Sequence, residues 1–158
     1  MNTNAVDLSL TKKFINLLMI NGEKNKAYKI FCAAGYEFFQ HSVGAAPTAV
    51  VQRDALHLRL SIAVGNVQPS VECRKCRVAG TSRLVPAIVS EKRGRTLAVR
   101  WIIESARKRR KNSTLSLSQC LAQELHDAYM QQGRPRQRRD QYHKLSQGNR
   151  GALRYRWW

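Results

Sequence analysis

The chain is short of acid. Its 158 residues hold 10 Asp and Glu against 28 Lys and Arg, a formal net charge of +18. An ordinary small soluble domain carries roughly 2–8 charges, so the excess excludes a merely solvated surface and points to a polyanionic partner. Cysteine is scarce too. Cys32, Cys73, Cys76 and Cys120 are too few for a disulfide scaffold and imply a reducing compartment. There is no run of about 18 apolar residues, which removes a membrane-spanning helix. The basic residues are spread over several elements and not gathered on one amphipathic helix, so nucleic acid fits better than a membrane surface. The first eleven residues contain Asp7 and neither Lys nor Arg, unlike a signal peptide or an Arg-rich transit peptide. The expectation is that a targeting segment has been removed or that the protein is made where it works.

Catalytic constellations are also missing. No Ser/His/Asp set, paired carboxylates or phosphate-binding glycine loop stands out. His41, His57, His126 and His143 are scattered along expected helices, where a surface or hydrogen-bonded histidine is the ordinary reading. Cys73-x-x-Cys76 resembles half a zinc site, but no second pair follows. Residues i and i+3 on a strand also face opposite ways. The expectation is no catalytic residue, no cofactor and no metal. The chemistry is recognition.

The charge is uneven. Residues 1–66 hold 7 Lys and Arg against 4 Asp and Glu, and residues 67–158 hold 21 against 6. In the first part, apolar stripes at helical spacing predict three helices. The first carries Phe14, Leu17 and Leu18 and stops at Asn21-Gly22. The second carries Ala27, Ile30, Phe31, Ala34 and Phe38. The third opens at Pro47, carries Val51, Ala55, Leu58 and Ile62 inward, and ends at Gly65-Asn66.

From Pro69 the period changes. Val71–Val78 and Arg83–Val89 flank Gly80 and predict a two-stranded hairpin, whose base packs Val71, Val85 and Val89 on the helices. A helix over Arg93–Lys111 follows, with Ala98, Trp101, Ile102 and Ser105 inward and Arg93, Arg100 and Arg107 on a neighbouring face. Ser116 and Gln119 form a capping box for a helix bearing Leu117, Leu121, Leu125 and Ala128, closed by Gly133 and Pro135. Arg136–Asn149 is a basic helix. The tail Arg154-Tyr155-Arg156-Trp157-Trp158 alternates cations with aromatics, as either a packed anchor or a stacking surface for RNA.

The fold expected is therefore mainly α: one helical domain of about six helices with a protruding two-stranded β-hairpin over residues 70–90. Residues 1–11 form a flexible N-terminal segment and residues 149–158 a basic-aromatic tail. Candidate phosphate contacts precede the first stripe (Lys12, Lys13) and line the hairpin (Arg74, Lys75, Arg77, Arg83). They continue along the fourth helix as Arg93, Arg95, Arg100, Arg107, Lys108, Arg109, Arg110 and Lys111. Arg136, Arg138, Arg139, Arg150, Arg154 and Arg156 complete the set near the C-terminus.

Several short signatures occur in order. They are Phe14-Ile15-Asn16-Leu17-Leu18-Met19, Val71-Glu72-Cys73-Arg74, Arg77-Val78-Ala79-Gly80 and Val85-Pro86. Next come Arg93-x-x-x-Leu97-Ala98-Val99-Arg100-Trp101, Ala106-Arg107, Leu121-Ala122-x-Glu124-Leu125-x-Asp127-Ala128, Asn149 and Tyr155-Arg156-Trp157. Together they resemble the ribosomal protein seven family of the small subunit, over about Lys12 to Trp157. Val78-Ala79-Gly80-Thr81, Ser116-Leu117-x-x-Cys120 and the doubled terminal Trp look like mitochondrial members of plants and algae. The resemblance implies a structural constituent of the small ribosomal subunit that binds the rRNA of the head, supports head assembly and does no catalysis. It implies neighbouring head and platform proteins as partners, mRNA and exit-site tRNA near the hairpin, and no membrane. It implies the mitochondrial matrix as the location, with a plastid or the bacterial cytoplasm as the alternative. Members usually have a basic N-terminal arm, two hairpin glycines, and Gly-Lys-Lys where Gly22-Glu23-Lys24 stands. With Ala79 in place of the first glycine, the turn comprises Ala79, Gly80 and Thr81, with Gly80 at positive φ and Ala79 at an ordinary negative φ. Two other classes share parts of the pattern: an architectural DNA-binding protein and an RNA-modifying enzyme.

Overall fold

The computed structural model describes the backbone of residues 3–42 and 49–158 and the side chains of residues 10–40 and 56–158. Helices α1 (Thr3–Leu18), α2 (Lys24–Ser42) and α3 (Ala49–Val67) come first. Strands β1 (Val71–Val78) and β2 (Thr81–Ile88) follow, then α4 (Glu91–Lys111), α5 (Leu117–Tyr129) and α6 (Gly133–Gly148). A 3-10 turn over Arg150–Tyr155 leads into the C-terminal residues. The mainly helical architecture with a two-stranded hairpin is as expected. The backbone of residues 3–11 is helical.

One core joins all the long helices. The expected stripes of α1 and α2 meet in it, where Phe14 and Phe31 stack with ring centres 5.4 Å apart. Helix α5 is central: Leu121, Leu125 and Ala128 are fully buried, and its end carries Tyr129, edge-on to Phe38. It starts as the sequence indicates, with Ser116 accepting from the Gln119 backbone while the Gln119 side chain accepts from the Ser116 backbone. On α4 the inner stripe Ala98, Trp101, Ile102 and Ser105 is buried, and Trp101 lies 4.9 Å from the Tyr142 ring of α6. Gly94 sits where α4 crosses the α3–β1 connection. A Cβ there would lie 2.9 Å from Gln68 Cγ and 3.2 Å from the Pro69 carbonyl, so only glycine permits this approach.

Three expectations need correction. On α3, Leu58 and Ile62 are 62% and 41% exposed, while Leu60, Ala63, Val64 and Val67 are buried. Leu56, Leu58, Leu60 and Ile62 place an apolar residue at every second position, so a helical stripe can be drawn in two phases. The helix also continues through Gly65-Asn66, because the Asn66 side chain donates to the carbonyls of Ala128 and Tyr129. Pro47 and the side chains of Val51 and Ala55 lie outside the described residues. Second, Gly133 and Pro135 do not simply close α5. They stand in the first turn of α6, a position proline suits.

The third correction concerns the hairpin. Val78 pairs with Thr81, so β2 begins two residues before Arg83 and the loop is only Ala79-Gly80. Both residues have positive φ, 48° and 78°. Two-residue hairpin loops favour such turns because their twist matches that of the strands. Pairing has overridden the ordinary preference of alanine, at a cost of roughly 1–2 kcal/mol.

That strain is testable. Ala79→Asn, which restores the favoured Asn-Gly turn, should stabilise the protein by about 1 kcal/mol, read as a higher urea midpoint with an unchanged slope. An unchanged or lower midpoint would show that Ala79 is not strained.

Candidate nucleic-acid interface

The chain's excess positive charge is sorted by its own carboxylates. All six acidic residues after Asn66 are in ion pairs with arginine. Glu72 holds Arg74 and Arg93, Glu91 holds Arg95, and Glu104 holds Arg138. Glu124 and Asp127 share Arg109, and Asp140 lies 3.5 Å from both Arg136 and Arg139. These pairs engage seven arginines and leave fourteen of the 21 Lys and Arg of this region without a carboxylate among the described residues.

The pairs divide the candidate contacts into two groups. Arg109 is structural. Its Nε donates to Glu124 at 2.7 Å, Nη1 to Gln123 at 3.1 Å and Nη2 to Asp127 at 2.6 Å, locking the end of α4 to α5. Glu124 is only 1% exposed, so its charge needs this partner. Arg136 and Arg139 both donate to the Asn66 carbonyl, at 2.8 and 2.7 Å, and so satisfy the end of α3. Arg138 bonds Glu104 and lies 5.1 Å from the Trp101 ring centre. Arg107 donates to the carbonyl of Leu18, the last residue of α1, at 3.2 Å, a favourable place for a cation at a helix C-terminus. Arg74 and Arg93 remain exposed while holding Glu72.

The second group has no carboxylate partner among the described residues. Arg100, Lys108 and Lys111 are exposed on the outer face of α4, with Arg110 at its edge. Lys75, Arg77 and Arg83 are exposed near the hairpin tip, and Arg150, Arg154 and Arg156 near the C-terminus. Lys12 is exposed and Lys13 half-buried on α1. Helical phase sets Arg109 apart from the cations of the outer face. Arg109 continues the inner series Ala98, Ile102, Ser105, whereas Arg93, Arg100, Arg107 and Lys111 share the outer one.

The hairpin does not stand alone. Cys73 Sγ is 3.3 Å from Ser146 Oγ on α6, and Cys76 Sγ meets the Tyr155 carbonyl at 3.6 Å. The two thiols thus have separate partners. Arg83 lies 4.8 Å from the centre of the Tyr155 ring and Arg74 5.6 Å from that of Trp158, so the C-terminal segment runs along the ribbon. At the ribbon's root the Ser70 backbone N–H donates to His143 Nε2 at 3.2 Å.

Titration follows these contacts. Burial works to raise the Glu72 carboxyl, but the hydrogen bonds and charges of Arg93 and Arg74 prevail and hold it below the usual carboxylate range. Burial raises the Glu124 carboxyl and prevails over Arg109; Oε2 is buried without a hydrogen-bond partner. Arg109 itself is held more firmly protonated by its two carboxylates, which outweigh its own burial. Burial, then Arg139 and Arg136, push the His143 imidazole down despite Asp140, which keeps Nε2 free to accept from Ser70.

The sequence pattern of the family described as ribosomal protein S7p/S5e matches residues 2–150. The small ribosomal subunit protein uS7m of Prototheca wickerhamii is 52% identical over 99 residues, 63% of this chain and 45% of that protein. That of Marchantia polymorpha is 37% identical over 156 residues, 98% of this chain and 63% of its own length. The chain thus spans less than two thirds of these two relatives. The uS7m of Arabidopsis thaliana is 38% identical over 149 residues, covering 94% of this chain and 93% of that protein.

Two outcomes test the sorting of charge. Arg109→Ala should destabilise the fold by about 3 kcal/mol, the low end for breaking a buried pair because the guanidinium is a third exposed. Arg110→Ala should stay within about 0.5 kcal/mol. Urea unfolding of both decides, and equal effects would contradict the inward role of Arg109. Glu72, with its folded value below its unfolded 4.5, gives stability that is present above that pH and lost as pH falls through the folded value. Glu72→Gln should therefore flatten the acid side of the stability profile below that pH. An unchanged acid limb would mean that Glu72 is not held by its arginines.

Proposed function

The chain belongs to the ribosomal protein S7p/S5e family, a family of structural proteins and not enzymes, and we propose that it serves in translation as a structural constituent of a mitochondrial small ribosomal subunit. In this reading the whole chain acts as one rRNA-binding domain. It binds the rRNA of the subunit head and supports head assembly, beside neighbouring head and platform proteins. The hairpin reaches toward the exit-site tRNA and the mRNA path. The observation that carries the RNA contact is the outer face of α4, where Arg100, Lys108 and Lys111 are exposed with no carboxylate partner, in a region whose six acids are already paired.

An A-form RNA presents phosphates, 2′-hydroxyls and shape more readily than base edges. Cations fixed along a rigid helix match such a target, because their spacing is set before binding and little ordering remains. Arg93 and Arg107 flank the same face while also bonded inside the fold, which fixes their positions further. The mitochondrial assignment rests on the similarity to the uS7m proteins.

Charge reversal tests the interface. Arg100→Glu with Lys108→Glu and Lys111→Glu should abolish most affinity for a folded rRNA junction while circular dichroism stays helical. Wild-type affinity should fall by about 10³–10⁵ between 50 and 200 mM salt if six to ten phosphates are neutralised. Unaltered binding by the triple variant, or a flat salt dependence, would move the RNA face elsewhere.

A further inference from the structure

No acid follows Asp140 in the chain, which closes with Tyr155-Arg156-Trp157-Trp158. The three rings are in three different situations. Tyr155 has guanidiniums at 4.8 Å (Arg83) and 5.2 Å (Arg154) from its ring centre, and its carbonyl meets Cys76. Trp158 is 39% exposed and has Arg74 at 5.6 Å. Both rings are engaged as anchors of the tail on the hairpin. Trp157 differs. It meets Trp158 nearly at right angles, with centres 5.6 Å apart, and is 80% exposed. Among the described residues no guanidinium lies over it.

We propose that the Trp157 indole is a stacking platform for an unpaired base of single-stranded RNA, held at a fixed angle by Trp158, with Arg74 and Arg156 placed to meet the flanking phosphates. The inference rests on the RNA-binding reading and adds a single-strand contact distinct from the outer face of α4. An exposed indole is a large apolar surface left in water, and it gains most where something flat covers it. Every base has a π-face, so stacking on an aromatic ring is tolerant of sequence. The surroundings select nucleic acid over protein. Arg150, Arg154 and Arg156 lie on the same acid-free segment, and an apolar protein segment docking there would have to desolvate or neutralise them. Arg150 and Arg156 also line one groove of about 510 Å³ with Ile88 and Leu153. Contacts at Tyr155 and Trp158 hold the tail against the ribbon, which lowers the ordering cost of binding.

The test uses the full chain, a twelve-residue oligouridylate and an A-form RNA duplex of the same length. Titration with oligouridylate should quench tryptophan emission, while the buried Trp101 stays silent. Trp157→Phe should keep affinity within about threefold but lose most of the quenching. Trp157→Ala should weaken oligouridylate binding by about tenfold and leave duplex affinity unchanged. Affinity equal to wild type in Trp157→Ala overturns the proposal, as does quenching that survives in Trp157→Phe. A Trp157→Ala protein that binds oligouridylate normally but fails to enter small subunits would make Trp157 a protein contact and overturn it too. Each of these results leaves the charge-reversal outcome on α4 untouched. Failure of the platform and failure of the RNA-binding reading are therefore separately visible.

Discussion

The pairing of carboxylate with guanidinium inside the fold is the constraint on which the rest depends. A chain with such an excess of cations must keep them apart or neutralise some of them before a core can close. Four of the six acids of the second half are placed at joints: Glu72 between the hairpin and α4, Glu124 and Asp127 between α4 and α5, and Glu104 between α4 and α6. Each joins elements that would otherwise bring like charges together. The remaining cations are displaced outward, and on the outer face of α4 Arg100 and Lys111 flank a Glu104 already paired with Arg138. The fold and the proposed interface thus draw on the same distribution of charge.

Asn66 plays the corresponding part where charge is absent. Its amide closes the end of α5 by donating to two carbonyls, and its own carbonyl accepts from Arg136 and Arg139 of α6. Two helix ends, each with unsatisfied backbone groups, are completed at one residue. Substituting an apolar side chain there would remove a donor from the carbonyls of Ala128 and Tyr129, although the volume changes little.

Much of this was legible in the sequence because it is periodic. The stripes of α1, α2 and α4 are strongly patterned, and the Ser116–Gln119 box marks its helix start without tertiary help. The stripe of α3 misled because its apolar residues alternate and fit two phases. Ala79 misled because local preference yields to strand register, which depends on residues on both sides of the turn. Among the candidate contacts, Arg109 looked like part of a cationic run. Its position four residues after Ser105 was the available sign that it points inward, but its partners are contributed by another helix. The attachment of the tail to the hairpin had no periodic signal at all. Cys76, Arg83 and Arg74 meet Tyr155 and Trp158 across more than seventy residues of chain, and only the fold brings them together.

The cluster at the end of α4 has a further consequence. Lys108, Arg110 and Lys111 are adjacent and exposed, and their mutual repulsion is strongest when nothing screens it. Added electrolyte weakens their grip on a polyanion by competing for it, yet relieves the strain they place on the unbound molecule. On the RNA-binding reading proposed above, a dilute solution is the one in which this cluster repels itself most, and a bound polyanion would relieve that repulsion.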